Sequence, residues 1–288
     1  MTTRPATTRS ATTRPAATRP TDTRPAASPH RQAVTFVLAT FAASLTIGYL
    51  AVAVLRIGDI GLGIGALVPG IVALVLTRRE HGTVRPLWDK IVAWRVAPRW
   101  YLAALGIPFA ILTAAALIAT TVGGAEPSEV GLVGAVAWLP LGVVLLGGPE
   151  EPGWRGYLQP RLQHRCNALT ASLIVGAIWV FWHTPLWLMA DSGFAAISLP
   201  AFATLGLGSS VIYAWLYNST GGNVLLPMLL HAATNAGLML LPDGALAMWI
   251  AAALTWAVAA TLLALHGPDD LAATARVRST PDSLPSPH

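Results

Sequence analysis

From Ala33 to Leu265 the chain is a succession of apolar blocks, each about one bilayer long, separated by short polar connectors. A helix needs about 20 apolar residues to cross the roughly 30 Å hydrocarbon layer, and inside lipid every backbone N–H and C=O must be satisfied within the segment. Eight such blocks can be read, at about 33–55, 57–77, 101–122, 131–149, 168–190, 200–217, 222–241 and 245–265. The expected fold is therefore all-α: a polytopic membrane protein of about eight transmembrane helices. Composition agrees, with 54% hydrophobic and 11% charged residues against roughly 25% charged in an ordinary soluble domain. A single cysteine, Cys166, excludes an intramolecular disulfide framework and any thiol-based metal cluster.

The first 32 residues are a different material. Arg4, Arg9, Arg14, Arg19 and Arg24 recur every fifth position among Thr, Ala and Pro, with no apolar run to build a core. Residues 1–32 are expected to form a disordered basic tail, 33–265 the transmembrane domain and 266–288 a disordered cytoplasmic tail. The N-terminal tail, with Arg31 and the single acid Asp22, carries the same +5 as the formal net charge of the whole chain. The membrane body is thus neutral by count, and the basic character does not point to nucleic acid. No secretory signal is expected in the tail, because the next apolar segment is long enough to span.

Charge in the connectors sets an orientation. Arg78, Arg79, Arg85, Lys90, Arg95 and Arg99 lie in one connector, Arg155, Arg161 and Arg165 in another, and Arg276 and Arg278 follow the last block. The alternate connectors hold Arg56 as their one basic residue, together with Glu126, Glu129, Asp191 and Asp243. Cytoplasmic loops are enriched in Lys and Arg, so both termini are expected in the cytoplasm of a cell-membrane protein.

Polar residues that a lipid-facing helix avoids appear at few places within the body. Glu150, Glu151 and Arg155 lie in GGPEEPGWRGYL, His183 in GAIWVFWHTPLW, and His231 and Asn235 in LLPMLLHAATNAG. Two adjacent carboxylates repel each other and are costly to desolvate, so placing both at membrane depth requires a reason. His231 and Asn235 are four apart and share a helix face. Trp179, Trp182 and Trp187 flank His183 with a dry wall, and Pro185 is expected to bend that helix. Gly61, Gly63 and Gly65 read as a close helix-packing ladder rather than a nucleotide loop, since no strand precedes them.

Singly, each of these residues could be an interhelical contact or a neutralising partner. Together they match the needs of acyl-transfer hydrolysis: a carboxylate takes a proton from water, an imidazole orients that water, and His with Asn donates to the oxyanion. A metal held by Glu and His is the alternative, with Glu150, His183 and His231 as ligands and zinc as the natural ion. HExxH is absent, and no serine neighbours either histidine in sequence.

These residues resemble the motifs of the CAAX prenyl protease and bacteriocin-processing family, the CPBP or Abi family of intramembrane proteases: EExxxR, FxxxH and HxxxN. Glu150 to Arg155 completes the first motif and His231 to Asn235 the third, while the second has Trp179 where the family has Phe, with His183 matching. The resemblance covers about 131–241. It implies an eight-helix protease, with a site within the membrane that opens to the cytosol, acting on a protein or peptide substrate. By position, Glu150 is implied as the general base, His183 and His231 as water- or metal-orienting residues, and Asn235 as the oxyanion donor. Glu151 and Arg155 are implied as their supporting partners. A non-catalytic membrane chaperone or bacteriocin-immunity factor stays open. So does a proton-coupled transporter, although the first three blocks carry no internal repeat of the motifs.

Overall fold

The computed structural model describes residues 28–50, 58–188 and 194–273. Nine α-helices can be numbered among them: α1 (Pro29–Tyr49), α2 (Gly58–His81), α3 (Arg85–Ile91), α4 (Pro98–Thr121), α5 (Gly131–Val144), α6 (Ala168–His183), α7 (Leu199–Ser219), α8 (Leu225–Leu238) and α9 (Ala245–His266). Short turns of 3₁₀, α and π geometry carry the chain from Gly148 to Leu162, between α5 and α6. The described residues contain no strand, so the fold is all-α and polytopic, as expected.

Starts and stops follow local chemistry. Ser28 caps α1 through its Oγ, which accepts from Arg31 N at 3.4 Å, and Asn167 caps α6 by accepting from Thr170 N at 2.8 Å. Proline opens α1 and α4, where its missing N–H costs nothing. Pro185 was expected to bend a continuing helix. Instead α6 stops at His183 and a 3₁₀ turn, Thr184–Leu188, follows; Thr184 keeps α-region dihedrals, φ −55° and ψ −31°, and Pro185, with no N–H to donate one turn back, interrupts the α-helical hydrogen-bond ladder there.

Six stretches are long and apolar enough to cross a membrane among the described residues: most of α1, α4, the run Gly131–Leu162, the run Ala168–Leu188, α7 and α9. The blocks read at 57–77 and 222–241 hold α2 and α8, which are not among the six; α8, at 14 residues, reaches only about 21 Å. The amphipathic α3, inside the basic connector, was not expected. Its Leu87 is buried while Trp88 is half exposed.

α7 is the axis of the bundle: 61% of its most apolar window is buried, against 17–33% in the other five stretches, so it is the one that the others surround. α6 and α9 pack along it, α8 packs on α4 and α5, and α1 packs on α2. Large apolar side chains such as Leu102, Val133 and Leu265 point outward. On a membrane protein such positions form the lipid face, where apolar contact with acyl chains costs nothing.

Two ends of the bundle can be told apart by their contacts. At one end Arg161 reaches Gln32 and Glu80, Val224 N donates to Lys90 O at 3.0 Å, and Ala168 N donates to Asp269 O at 2.9 Å. This end holds every described Lys and Arg except Arg155. At the other end Ser128 Oγ donates to Met239 O at 2.7 Å and Trp187 Nε1 donates to Ile197 O at 2.8 Å; it carries Glu126, Glu129 and Asp243 and, among the described residues, no Lys or Arg.

Three boundary expectations change. α1 begins at Pro29, so the last residues of the 1–32 segment are helical, while 1–27 lie outside the described residues. The segment after His266 is not a loose tail up to Ala273: Leu271 is fully buried, Asn218 Nδ2 donates to Asp270 O, and Ala273 N donates to Ser219 Oγ. The close packing foreseen at the glycine ladder falls a turn later. Gly65 has nothing near its absent Cβ, whereas Gly70 abuts the Pro149 carbonyl and Gly153 abuts Pro69; the surroundings of Gly61 and Gly63 lie outside the described residues.

A Cβ on Gly153 would lie 2.7 Å from the Pro69 carbonyl oxygen, a backbone atom that cannot swing aside. Gly153→Ala is therefore expected to destabilise the protein by about 1–3 kcal/mol, as overpacking does, read as a lower melting temperature in detergent. Gly65→Ala, which meets open space, should leave it unchanged.

Candidate active site

The polar residues singled out from the sequence come together between the broken segment, α6, α7 and α8. The chain leaves α5 at Val144 because Gly147, Gly148 and Pro149 cannot continue it, and Gly147 turns through φ +90°. An L side chain rarely tolerates that conformation. The turn brings Glu150 and Glu151 inward, with 4% and 0% of their surface exposed. Irregular backbone at membrane depth survives where it is enclosed by protein or lines a cavity, and this segment is buried and lines one.

Glu151 is the centre of a charge cluster. Its Oε1 lies 2.7 Å from His231 Nδ1, and Arg155, one turn on, places NH1 3.3 Å from Oε2. Arg155 NH2 donates to Ser210 Oγ at 3.0 Å, and that hydroxyl donates to the Ser172 carbonyl at 2.6 Å. The guanidinium also lies over the Tyr213 ring, 4.4 Å from its centroid. A carboxylate only accepts, so Nδ1 of His231 carries a hydrogen toward Glu151, and the other ring nitrogen, Nε2, is left for the cavity.

Glu150 sits in a different environment. Its Oε2 accepts from Trp179 Nε1 at 2.8 Å and from Trp154 Nε1 at 3.2 Å. Trp179 was expected only as a wall; its indole N–H is also a polar contact to the carboxylate. The same ring packs on His183, centroids 4.0 Å apart, and on Phe202 at 5.2 Å. His183 Nδ1 lies 2.9 Å from the Trp179 carbonyl oxygen, one turn back; since that oxygen can only accept, Nδ1 bears the hydrogen and Nε2 a lone pair.

Gly147 closes the geometry. A Cβ there would come 2.6 Å from Asn235 Nδ2 and 3.0 Å from His231 Nε2, so the two polar atoms converge on one point above the glycine. Glu150, Glu151, Arg155, His183, His231 and Asn235 all line a single cavity of about 820 Å³. The cavity runs from the charge cluster past Trp179 and Phe202 to Ile197, Ser198, Asp243 and Gly244.

Glu150, His183 and His231 were also read as a metal set. Nδ1 of each histidine faces a fixed acceptor and Glu150 Oε2 receives two donors, which leaves Nε2 of both histidines and Oε1 of Glu150 as the atoms such an ion would take; as placed, no three His, Cys, Asp or Glu side chains among the described residues gather closely enough to hold one.

Several site residues were missed from sequence. Ser210 and Tyr213 had one available signal, polar atoms in the apolar α7 run, but Ser in such helices commonly bonds its own backbone. Trp154 lies four residues after Glu150, the spacing that lets its indole reach back. Gly147 had no signal beyond its place in a Gly-Gly-Pro break.

The sequence that builds the site is similar to known proteins. Residues 132–237 match the Rce1-like family model, type II CAAX prenyl endopeptidase Rce1-like. A protein named CAAX prenyl protease 2 from Methanococcus maripaludis is 30% identical over 93 residues, which are 30% of this chain and 34% of that protein. The chain thus spans about a third of the length of that curated relative. Glu150, Glu151, Arg155, His183, His231 and Asn235 all fall inside the matched residues.

Removing one partner of the buried cluster strands the other charges. Arg155→Ala and Glu151→Leu are each expected to cost about 3–5 kcal/mol, seen as lost thermal stability and yield in detergent. Asn235→Ala, half-buried and outside the cluster, should retain the parent melting temperature.

Proposed function

We propose, from the match of residues 132–237 to the Rce1-like family model and the similarity to a CAAX prenyl protease 2, that this chain is an intramembrane endopeptidase which hydrolyses a peptide bond of a membrane-associated protein or peptide by a Glu-activated water. The observation that carries the reading is the meeting of His231 Nε2 and Asn235 Nδ2 over Gly147, in the same cavity as the Glu150 carboxylate.

In this reading both indole donors fall on Glu150 Oε2, and Oε1 takes a proton from water while the oxygen attacks the scissile carbonyl carbon. Nε2 of His231 accepts a hydrogen bond from the water's remaining hydrogen and holds its lone pair toward the carbon, while His183, whose Nε2 also bears a lone pair, lines the same cavity. The carbonyl π-pair moves onto oxygen, and Asn235 Nδ2–H donates to that oxyanion. As the tetrahedral intermediate collapses, the C–N bond breaks and the proton on Glu150 passes to the leaving amine. Glu151 and Arg155 touch no reacting atom: they hold His231 in one tautomer and one orientation. Such a cycle runs without a metal ion, and elemental analysis of active purified protein tests that part separately.

Glu150→Gln keeps shape and removes the base, so cleavage of a validated substrate should fall to background in a protein of parent melting temperature. Asn235→Ala should lower kcat by about 10²–10³, with KM little changed, the usual cost of one oxyanion donor. Wild-type cleavage by Glu150→Gln would remove Glu150 as the base and return the Glu pair to a structural role at the helix end; a cellular phenotype that persists in Glu150→Gln without any cleavage would point instead to a non-catalytic chaperone or immunity factor.

Gly147→Ala tests the convergence itself. The added methyl displaces Asn235 and His231 by a large part of an ångström, so cleavage should drop by about 10²-fold, as misplacement of catalytic groups does. Ser209→Ala, on the cavity wall, should cleave at the parent rate.

A further inference from the structure

Between α2 and α4 the chain exposes large apolar and basic side chains together. Trp94 is 64% exposed, Trp88 49% and Val92 46%, and Arg85, Arg95 and Arg99 in the same segment are exposed too. Val84, Trp88 and Val92 recur four apart along α3 and its caps and form an outward ridge, while Leu87 and Ile91 form the ridge that packs inward. The Arg95 guanidinium lies 5.0 Å from the Trp94 ring centroid, and that of Arg99 5.0 Å from the ring of Trp100. Acids at this end are fewer. Asp89 lies 4.0 Å from Arg85, Glu80 pairs with Arg161 at 2.6 Å, and Asp269 and Asp270 follow α9. The chain ends that attach here, 1–27 and 274–288, add seven Arg against Asp22 and Asp282, so they reinforce the basic excess rather than cancel it.

The same connector touches what supports the site. Leu87 Cδ1 lies 2.6 Å from where a Cβ on Gly156 would stand, next to Arg155 in the broken segment. Asn223 Nδ2 donates to the Ala93 carbonyl at 2.6 Å, while its Oδ1 accepts from Leu226 N at 2.8 Å in the first turn of α8, the helix of His231 and Asn235. Exposed tryptophan suits the headgroup level of a bilayer, where the ring meets apolar chains and the N–H meets polar atoms, and a guanidinium fork matches phosphate oxygens. We infer that 83–99 is a docking surface for anionic phospholipid. Trp88, Val92 and Trp94 enter the boundary between headgroups and acyl chains, and Arg85, Arg95 and Arg99 take the phosphates. Lipid seated there holds the connector, and through Ala93 and Asn223 it steadies the start of α8. Neither part depends on catalysis.

A reporter on the outward ridge tests it. The full chain, in a Cys166→Ala background, carries an environment-sensitive dye on Val92→Cys. It is reconstituted in mixed phosphatidylcholine–phosphatidylglycerol vesicles in which one lipid or the other is brominated beside its headgroup. Brominated phosphatidylglycerol should quench the dye at least about fivefold more strongly than brominated phosphatidylcholine, the contribution of one basic residue at an anionic surface. Val133→Cys, on the lipid face at the other end, should show no preference. Exchanging Arg85→Gln, Arg95→Gln and Arg99→Gln together should abolish the preference at Val92→Cys. Should that triple variant fold poorly, about 1 M salt, which screens charges beyond about 3 Å, should abolish it in the parent. Equal quenching by the two lipids, or a preference that survives salt, overturns the inference. A dye shielded from water yet quenched by neither lipid marks a protein partner or a second copy on this face and overturns it as well. The second part is read by hydrogen exchange. Amides of 224–230 should exchange about fivefold more slowly in vesicles containing phosphatidylglycerol than in phosphatidylcholine alone, and equally in both for the triple variant. Unchanged exchange in the parent overturns the steadying of α8.

Discussion

Everything in the active-site region depends on one buried carboxylate. Glu151 has no exposed surface, and it is bonded to a histidine from α8 and paired with an arginine one turn along its own segment. An isolated carboxylate at that depth would cost several kcal/mol; with Arg155 and His231 beside it the charge is shared, and the arginine is tied in turn to Ser210 on α7 and through it to Ser172 on α6. The same bonds that make the charge tolerable thus fix the relative positions of the broken segment and three helices. Within the bilayer, where no hydrophobic force draws helices together, such polar contacts and close small-residue packing supply the specificity.

The two glutamates, adjacent in the chain, are divided in environment. Glu151 faces cations and is committed to structure. Glu150 is met by two neutral indole N–H donors, both on one oxygen, in a wall that also holds His183. A carboxylate held by neutral donors is oriented without being neutralised by an ion pair, which is what a proton acceptor requires. Adjacent residues on a helical turn point in different directions, so a Glu-Glu pair is the shortest way to serve both a structural cation and a reacting water from one segment. The tryptophan at position 179 also ties base and histidine together: its indole holds Glu150 while its carbonyl receives His183 one turn on.

The apolar periodicity determined the architecture in advance, because a bilayer admits few solutions for a chain of this hydropathy, and apolar helix is the general one. The blocks at 101–122, 200–217 and 245–265 match α4, α7 and α9 within three residues at each end. The six polar positions were also legible, since a charged or imidazole side chain in an apolar run is rare enough to stand out, and they converge in one cavity. Where local rules competed, the sequence misled. Pro185 could bend or stop a helix, and the sequence does not distinguish the two; in the structure α6 stops at His183.

What the tertiary structure alone decided is which atoms meet. Nothing in the chain says that Ser210, 55 residues from Arg155, receives its guanidinium, or that Gly147 is a glycine because Asn235 and His231 occupy the space of a side chain. Spacing along one helix reports only on that helix, whereas these contacts join segments whose separation in sequence carries no information about their separation in space. The network that joins Glu151 and Arg155 to Ser210 and Ser172 is built from groups of three separate segments packed together, and packing is a property of the folded chain.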